Sequence, residues 1–302
     1  MRRREFLAVL GARLSAQGPT ILVHEHVVVD FGGTDKIGPG RYDPGEVLRL
    51  ARPKLEEVKV LGGVRFQDCT PQFIGRDPAL LARLADVVGM EIWTNTGIYG
   101  AAKHRFVPEF ARRQTAGELA RRFIREVARG VDGVKPRFIK TGVNDAPLDE
   151  LDRKLVRAAA ITSRETGLTV ASHTGSGRAA AQELEILDEE GVAAEKFVWV
   201  HAQNEKDHSW HEKAARAGAW VEFDGIRAKT ADWHLECVRF MASEGLLGRT
   251  LISQDSGWYH VGEPGGGNFR GYTYIYTDFL PRLEPAWVPK LMWENPRAAF
   301  GA

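Results

Sequence analysis

The sequence predicts an α/β protein that folds as a single (β/α)8 (TIM) barrel. Eight short β-rich runs alternate with longer amphipathic stretches, and no linker or low-complexity segment interrupts them. A doubly wound sheet shows the same alternation. Eight strand-helix units in a chain of 302 residues fit a barrel with a few enlarged loops.

The predicted strands are rich in Val, Ile, Phe, Trp and Thr, which favour extended structure. Several are nearly continuous apolar runs, which is typical of parallel strands that are covered on both faces. In chain order the eight predicted strands span residues 20–23, 64–68, 92–95, 137–140, 168–172, 197–200, 220–223 and 250–253.

Amphipathic helices are predicted between these strands. Residues 148–166 carry apolar side chains at steps of three and four, and Gly167 is a usual end signal. Another helix is predicted to begin at Thr115, because Glu118 completes a capping box. The glycine-rich stretch 262–271 follows the last strand, and we interpret it as a functional loop.

The composition argues against two classes of partner. Lys and Arg number 41 against 40 Asp and Glu, so no basic field points to nucleic acid. No apolar run approaches the roughly 20 residues that span a bilayer. The two cysteines, Cys69 and Cys237, are too few for a disulfide framework, and we interpret them as buried thiols. We expect neither a nucleic acid nor a membrane as a partner, but a small-molecule substrate.

Residues 1–17 are interpreted as a leader, and residues 18–302 as the barrel. Arg3-Arg4-Glu5-Phe6-Leu7 resembles a twin-arginine export motif, and Leu14-Ser15-Ala16 is a candidate cleavage site. This pattern predicts export to the periplasm. The apolar stretch ends early, at Arg13, so a cytoplasmic chain with a short basic N-terminal helix is the alternative.

Six residues that can bind metal ions follow or end predicted strands. In a barrel these C-terminal ends meet at one rim, where active sites form. His173 and His201 lie one strand-helix unit apart, and Asp255 follows about two units later. This spacing predicts that one rim carries His24, His26, Lys140, His173, His201 and Asp255. The other histidines in loops and helices are interpreted as surface or capping residues, namely His104, His208, His211, His234 and His260, of which His260 is also a candidate substrate contact.

The first of these groups is His24-Glu25-His26. Side chains alternate along a strand, so the two histidines are expected on one side and Glu25 on the other. Two such imidazoles can bind one cation, and imidazole suits zinc, nickel, cobalt and iron.

Lys140 is the unusual member of the set. Divalent cations nearby favour loss of the proton from a lysine ammonium group. The neutral amine can take up CO2 and become a carbamate, whose two oxygens can bridge two metal ions. The spacing alone does not establish that Lys140 is carboxylated on its side-chain nitrogen.

These motifs resemble the phosphotriesterase-like (lactonase) branch of the amidohydrolase superfamily. The metal-binding residues are typical of the whole superfamily, whereas Ile74-Gly75-Arg76-Asp77-Pro78 points to this branch. The resemblance extends over nearly the whole chain after the leader. Its other motifs are His24-Glu25-His26, Phe138-Ile139-Lys140, Ser172-His173-Thr174, Val200-His201 and Ser253-Gln254-Asp255.

The resemblance implies a binuclear metal centre and a homodimer as a compatible assembly. His24, His26 and Asp255 would hold the more buried ion, and His173 and His201 the more exposed one. Carboxylated Lys140 and a hydroxide would bridge them. Zinc is usual in such sites, with manganese, cobalt and iron as alternatives. Lys140 and Asp255 are then the catalytic residues, and Asp255 accepts a proton from the attacking hydroxide.

The predicted reaction is hydrolysis of a lactone or ester, with phosphotriester cleavage as a side activity. Hydrolysis of a cyclic amide and a non-catalytic metal-binding barrel are the alternatives. Predicted substrate contacts come from loops at the same rim; the other interpretation is that these side chains only pack there. They are Tyr99, where lactonase relatives have a substrate-contacting tyrosine nearby, Arg227, and Trp258, Tyr259 and His260 of loop 256–272.

Overall fold

The computed structural model describes residues 18–38 and 40–301, so the predicted leader at 1–17 lies outside the described residues. Ten strands occur in this part of the chain, and every pairing between them is parallel. They are β1 Thr20–Val29, β2 Gly63–Asp68, β3 Glu91–Trp93, β4 Asn95–Thr96, β5 Phe138–Gly142, β6 Val170–His173, β7 Phe197–Val200, β8 Trp220–Phe223, β9 Thr250–Ile252 and β10 Gly257–His260.

All eight predicted strands are confirmed. The third is divided by Thr94 into β3 and β4, and the first continues past its predicted end at 23 to Val29. β10 was not predicted, because it lies at the start of the loop that follows the last barrel strand. It pairs with the extended part of β1, where His26 lies opposite Gly257.

The strands follow one another in chain order around the barrel. The order is β10-β1-β2-β3 in one sheet and β4 to β9 in the other. The two sheets adjoin at Thr94, between β3 and β4, and beside β1, where residues that follow β9 bond its main chain. The Arg137 main-chain nitrogen donates to the Thr94 oxygen at 2.9 Å, and that of Asp255 donates to the His24 oxygen at 3.1 Å.

Helices cover the outside of the strands. The capping box at the start of helix Ala116–Arg129 is present, since Thr115 and Glu118 bond each other's main chains. Helix Glu150–Thr166 ends at Gly167, which has the left-handed conformation. The helices are α1 Pro44–Val60, α2 Pro78–Val88, α3 Glu109–Arg113, α4 Ala116–Arg129, α5 Glu150–Thr166, α6 Gly177–Glu189, α7 His208–Arg216, α8 Ala231–Ser243 and α9 Asn295–Phe300, with π-helical turns at Ile275–Phe279 and Lys290–Glu294.

The core lies in two layers. Inside the strands, Val23, Phe138, Val198 and Leu251 pack against Phe300 of α9. A larger apolar cluster fills the space between strands and helices. The barrel is therefore filled at one end, and the C-terminal ends of the strands are left for a site. Among the described helices, none has both the length and the apolar character needed to cross a membrane.

Candidate metal centre

The six predicted metal-binding residues meet around one cavity at the C-terminal end of the barrel. The cavity has a volume of about 180 Å³. β1, β5 and β6 carry four of the six, and the other two directly follow β7 or lie just after β9. The lining includes His24, His26, Lys140, His173, His201 and Asp255. Their role as metal ligands stays a prediction, and the structure supplies the geometry that it needs.

β1 presents both of its histidines to this cavity because its pairing is irregular. Val23 packs inside the barrel, so strict alternation would place Glu25 beside it and turn the histidines away. The pairing of β1 with β2 changes register between Leu22 and Glu25. His24 and His26 therefore line the cavity, and Glu25 is buried away from it. Irregular pairing of this kind re-aims side chains next to many active sites.

The six residues form two neighbouring groups. The Nε2 atoms of His26 and His24 lie 3.1 and 3.9 Å from Oδ1 of Asp255. The rings of His173 and His201 are 4.3 Å apart between centroids, and the rings of His24 and His201 are 5.2 Å apart. The spacing is suited to a pair of cations that share one cavity.

Buried carboxylates orient two of the imidazoles. Nδ1 of His24 lies 2.7 Å from Oε1 of Glu222, and Nδ1 of His201 lies 2.5 Å from Oδ1 of Asp224. Burial raises the pKa of Glu222 well above its ordinary value, whereas the charges of His201 and His24 outweigh burial and hold the pKa of Asp224 well below its own. Asp224 is therefore the ionised acceptor, and its Oδ2 lies 3.2 Å from Nδ1 of His24. Each Nδ1 is then the donor, and Nε2 keeps its lone pair. Many metal-binding histidines are held in this way.

Electrostatics favour metal-binding protonation states at three of the six residues, namely His24, His173 and Asp255. Burial and the charge of Lys140 lower the pKa of His24 to about 4, and burial holds the pKa of His173 well below its ordinary value. Burial alone would raise the pKa of Asp255, but hydrogen bonding to His26 and the nearby histidine charges lower it instead. At neutral pH the imidazoles of His24 and His173 are therefore neutral and Asp255 is ionised, as metal binding requires.

The surroundings of Lys140 indicate whether this site suits two cations that share a lysine carbamate. Its side chain is buried, and its Nζ atom has no hydrogen-bond partner among the described residues. An isolated ammonium group in such a place is costly. A carbamate on Nζ removes that cost, since its oxygens would bind the cations. The residues present therefore fit the expected group.

A comparison with known protein families shows to which family this chain belongs. The family model described as "Phosphotriesterase family" matches residues 4–300. The chain belongs to the phosphotriesterase family. Membership makes it a metal-dependent hydrolase, and the resemblance inferred from its motifs is confirmed.

Relatives within the phosphotriesterase family carry several names. A phosphotriesterase homology protein of Escherichia coli strain K12 is 24% identical over 291 residues, which cover 92% of this chain and 97% of the relative. An N-acetyltaurine hydrolase of Homo sapiens is 27% identical over 271 residues, which cover 82% of this chain and 75% of the relative.

Solved structures of the phosphotriesterase family share the fold. The crystal structure of the Escherichia coli phosphotriesterase homology protein, complexed with phosphate, matches with a TM-score of 0.80 at 22% identity and covers 95% of this chain and 99% of that one. A lactonase from Listeria monocytogenes matches with a TM-score of 0.78 at 23% identity, with coverages of 94% and 95%. These similarities confirm the barrel.

Four of the five predicted substrate residues lie at or beside the cavity of this phosphotriesterase-family chain. Tyr99 and Trp258 line it, and Arg227 and His260 line an adjoining groove together with Trp258. Tyr259 lies elsewhere, because side chains alternate along β10. Its hydroxyl donates to Glu46 at 3.2 Å, so it holds β10 against α1.

Two histidines interpreted as surface or capping residues are instead buried. His211 bonds the main-chain oxygen of Ala202 at 2.8 Å, and His234 bonds that of Asp224. Each sits on the apolar inner side of its helix. Their burial shows that a polar residue in a helical stretch can face inward when a main-chain oxygen is available.

Sequence reasoning missed the residues that contact the histidine rings of the candidate metal centre, and two that line its cavity. Glu222 and Asp224 occupy an otherwise apolar strand and its end, and this was a readable signal, because unpaired buried acids are costly. Thr70 lies 2.8 Å from Nδ1 of His26 and gives no such signal. The cavity wall residues Phe31 and Phe106 were also missed, because they lie in loops without periodicity.

Proposed function

We propose that this metal-dependent hydrolase acts on lactones and related carboxylic esters, with phosphotriester cleavage as a side activity. The observation that carries the proposal is the compact, largely apolar wall above the two groups of ligands. A cavity of about 180 Å³ with such a wall suits a small organic ring. The wall is formed by Val29, Phe31, Ile74, Tyr99, Phe106 and Trp258.

The ligand groups divide between two cations in this proposal. His24, His26 and Asp255 would hold one, and His173 and His201 the other, with carboxylated Lys140 shared between them. Zinc suits a set dominated by imidazole, and manganese, cobalt and iron are alternatives. When bound, the cations supply Lewis-acid activation of water and of the substrate oxygen.

Asp255 is the residue proposed to move the proton. Its carboxylate accepts the proton of the attacking water and delivers it to the leaving oxygen. Nε1 of Trp258 lies 3.0 Å from the main-chain oxygen of Asp255 and 3.2 Å from its Oδ1, which fixes the carboxylate. The aromatic wall excludes bulk water from the reacting ester.

Amide hydrolysis is the second candidate. Relatives named N-acetyltaurine hydrolase favour it. The same water attack would apply, and the proton held by Asp255 would pass to the departing nitrogen. An amide therefore needs this proton transfer more than a lactone does, since an amine leaves only when protonated.

A substrate panel with controlled metal content tests the proposal. The panel contains lactones, N-acyl amines and a paraoxon-type phosphotriester. We expect the largest kcat/KM for lactones, loss of turnover on chelation and recovery with zinc. The Asp255→Asn variant should lose turnover by about 10²-fold or more. Full activity in a metal-free preparation would contradict metal-dependent hydrolysis, and a preference for N-acyl amines would replace the ester assignment.

A further inference from the structure

A second depression opens beside the candidate metal centre. It has a volume of about 590 Å³ and shares Asp255 and Trp258 with the metal cavity. We call it the rim groove; its lining is Arg227, Lys229, Asp255, Trp258, His260, Asn268 and Arg270. A substrate whose reacting bond lies at the metal cavity can therefore extend a substituent into the rim groove.

The rim groove carries excess positive charge. Three permanent cations line it, and the one acid in its lining is Asp255, which is already assigned to a metal ion. Within the described residues, the side chains of Arg227 and Lys229 take part in no hydrogen bond or ion pair. Other arginines of the chain differ, for example Arg157, which pairs with two glutamates.

Hydrogen bonds hold two of these residues, Arg227 through its main chain and Arg270 through its side chain. The Arg227 main-chain nitrogen donates to Oγ1 of Thr230 at 3.1 Å, and the Arg227 main-chain oxygen accepts from the Thr230 nitrogen at 2.9 Å. Arg270 donates from Nη2 to the Asp255 main-chain oxygen at 2.5 Å. A guanidinium group has five N–H donors, so Arg270 retains others for a ligand.

We propose that Arg227, Lys229 and Arg270 form a subsite for an anionic group of the substrate, such as a carboxylate or a sulfonate. Cations that converge on a concave wall repel one another until an anion joins them, and arginine binds oxyanions through paired N–H donors. The preferred substrate then carries its reacting carbonyl at the metal cavity and a negative charge in the rim groove. This inference names a substrate class and rests on the proposed function.

Matched esters test the subsite through catalysis. The pair is 4-acetoxybenzoate and its neutral methyl ester, measured with the metal-loaded protein. We expect kcat/KM to be about tenfold higher for the anionic ester, mainly through KM, and the advantage to shrink with added salt. The Arg227→Gln/Lys229→Gln double variant should lose the advantage, so that its kcat/KM values for the two esters become equal.

Lys135→Gln is the matched control, because Lys135 is exposed and precedes β5, at the opposite end of the barrel. It should keep the advantage. Equal kcat/KM for the two esters in the natural chain would overturn the proposal, and so would an advantage that survives in the double variant, since the carboxylate would then be recognised elsewhere.

Binding of an ether that cannot be hydrolysed separates this inference from the proposed function. The probes are 4-methoxybenzoate and the neutral ketone 4-methoxyacetophenone, and their binding is measured by calorimetry. Tighter binding of the anion by about tenfold, lost in the double variant and kept in Lys135→Gln, supports the subsite even if no ester is hydrolysed. Ester hydrolysis without this difference supports the proposed function and overturns the subsite.

Discussion

Individual buried acids hold the ligands of the candidate metal centre in place. Glu183 accepts from the hydroxyls of Ser172 and Thr174, which flank His173 on both sides. Glu25 accepts from the Ser256 main-chain nitrogen at 2.7 Å and, through its other oxygen, from residues that precede Asp255. The positions of His173 and Asp255 are thus fixed by buried acids that do not line the cavity.

Lys140 provides the first prediction at the residue scale. Lys140→Ala should lose bound metal and lower kcat/KM by roughly 100-fold or more, because no carbamate can form. Added acetate or propionate should restore part of both, since a free carboxylate can take the place of the bridge. Metal content and turnover are measured together. A variant that keeps two metal ions per chain without added acid would exclude the carbamate.

Glu183 gives a pH-dependent prediction. Burial raises the pKa of Glu183 from 4.5 to about 8, although the Ser172 and Thr174 hydroxyls act in the opposite direction. Between these values the folded chain keeps a proton that the unfolded chain releases, so this residue's stabilising contribution falls as pH rises. Below about pH 4.5 the carboxyl is protonated in both states and the contribution is complete.

The Glu183→Gln variant isolates this effect, because glutamine does not titrate. Its free energy of unfolding should fall less than that of the natural chain as pH rises from about 5 to about 8. Urea unfolding at several pH values in this range measures the difference. Parallel curves for the two proteins would show that Glu183 does not change protonation on folding.

β10 adds a wall to the metal cavity at the rim of the barrel. It extends the sheet beside β1 and directs Trp258 over the metal cavity, where the indole ring lies 4.9 Å from the His26 ring. The close approach depends on Gly257, whose φ is +92°. A Cβ atom there would overlap the main-chain oxygen of His26 and the hydroxyl of Tyr272.

Gly257→Ala should therefore detach β10 from β1. We expect the free energy of unfolding to fall by at least about 2 kcal/mol, because strain at positive φ adds to the overlap. Gly271→Ala is the matched control in the same loop, since its Cβ atom would meet nothing within 4 Å. It should change stability by less than about 0.5 kcal/mol. Equal, small effects of the two substitutions in urea unfolding would contradict the role of Gly257.

The whole barrel assembles the candidate metal centre from residues that are far apart in the chain. The unfolded chain holds no such arrangement, so metal binding and folding are coupled. A cation at about 100 times its Kd adds about 2.7 kcal/mol to the stability of a protein that binds it only when folded.

Metal removal should consequently lower the melting temperature of the natural chain by about 5 °C or more. The measurement is thermal unfolding before and after chelation, with zinc restored as a check. In Lys140→Ala the same chelation should have little effect, because the site is already impaired. A melting temperature that does not respond to chelation in the natural chain would mean that the six residues do not bind metal tightly.

The sequence by itself determined the strand-helix alternation, all eight barrel strands and the six residues at the rim. Strand residues such as Phe138 and Val198 are apolar, and their type alone predicts that they are buried. A predicted ligand such as His173 ends a strand, and this position alone places it at the rim of a barrel. For the same reason the family could be inferred from short motifs alone.

The tertiary structure decided what depends on contacts between distant residues. The irregular pairing that turns His24 towards the cavity depends on the neighbouring strand β2. The pairing of β10 with β1 and the burial of Glu25 behind Asp255 both join residues more than 200 positions apart in the chain. Local propensity carries no information about such contacts, because their free energy arises only when the barrel closes. The rim groove belongs to the same class, since Arg227 and Arg270 come from loops that the fold alone brings together.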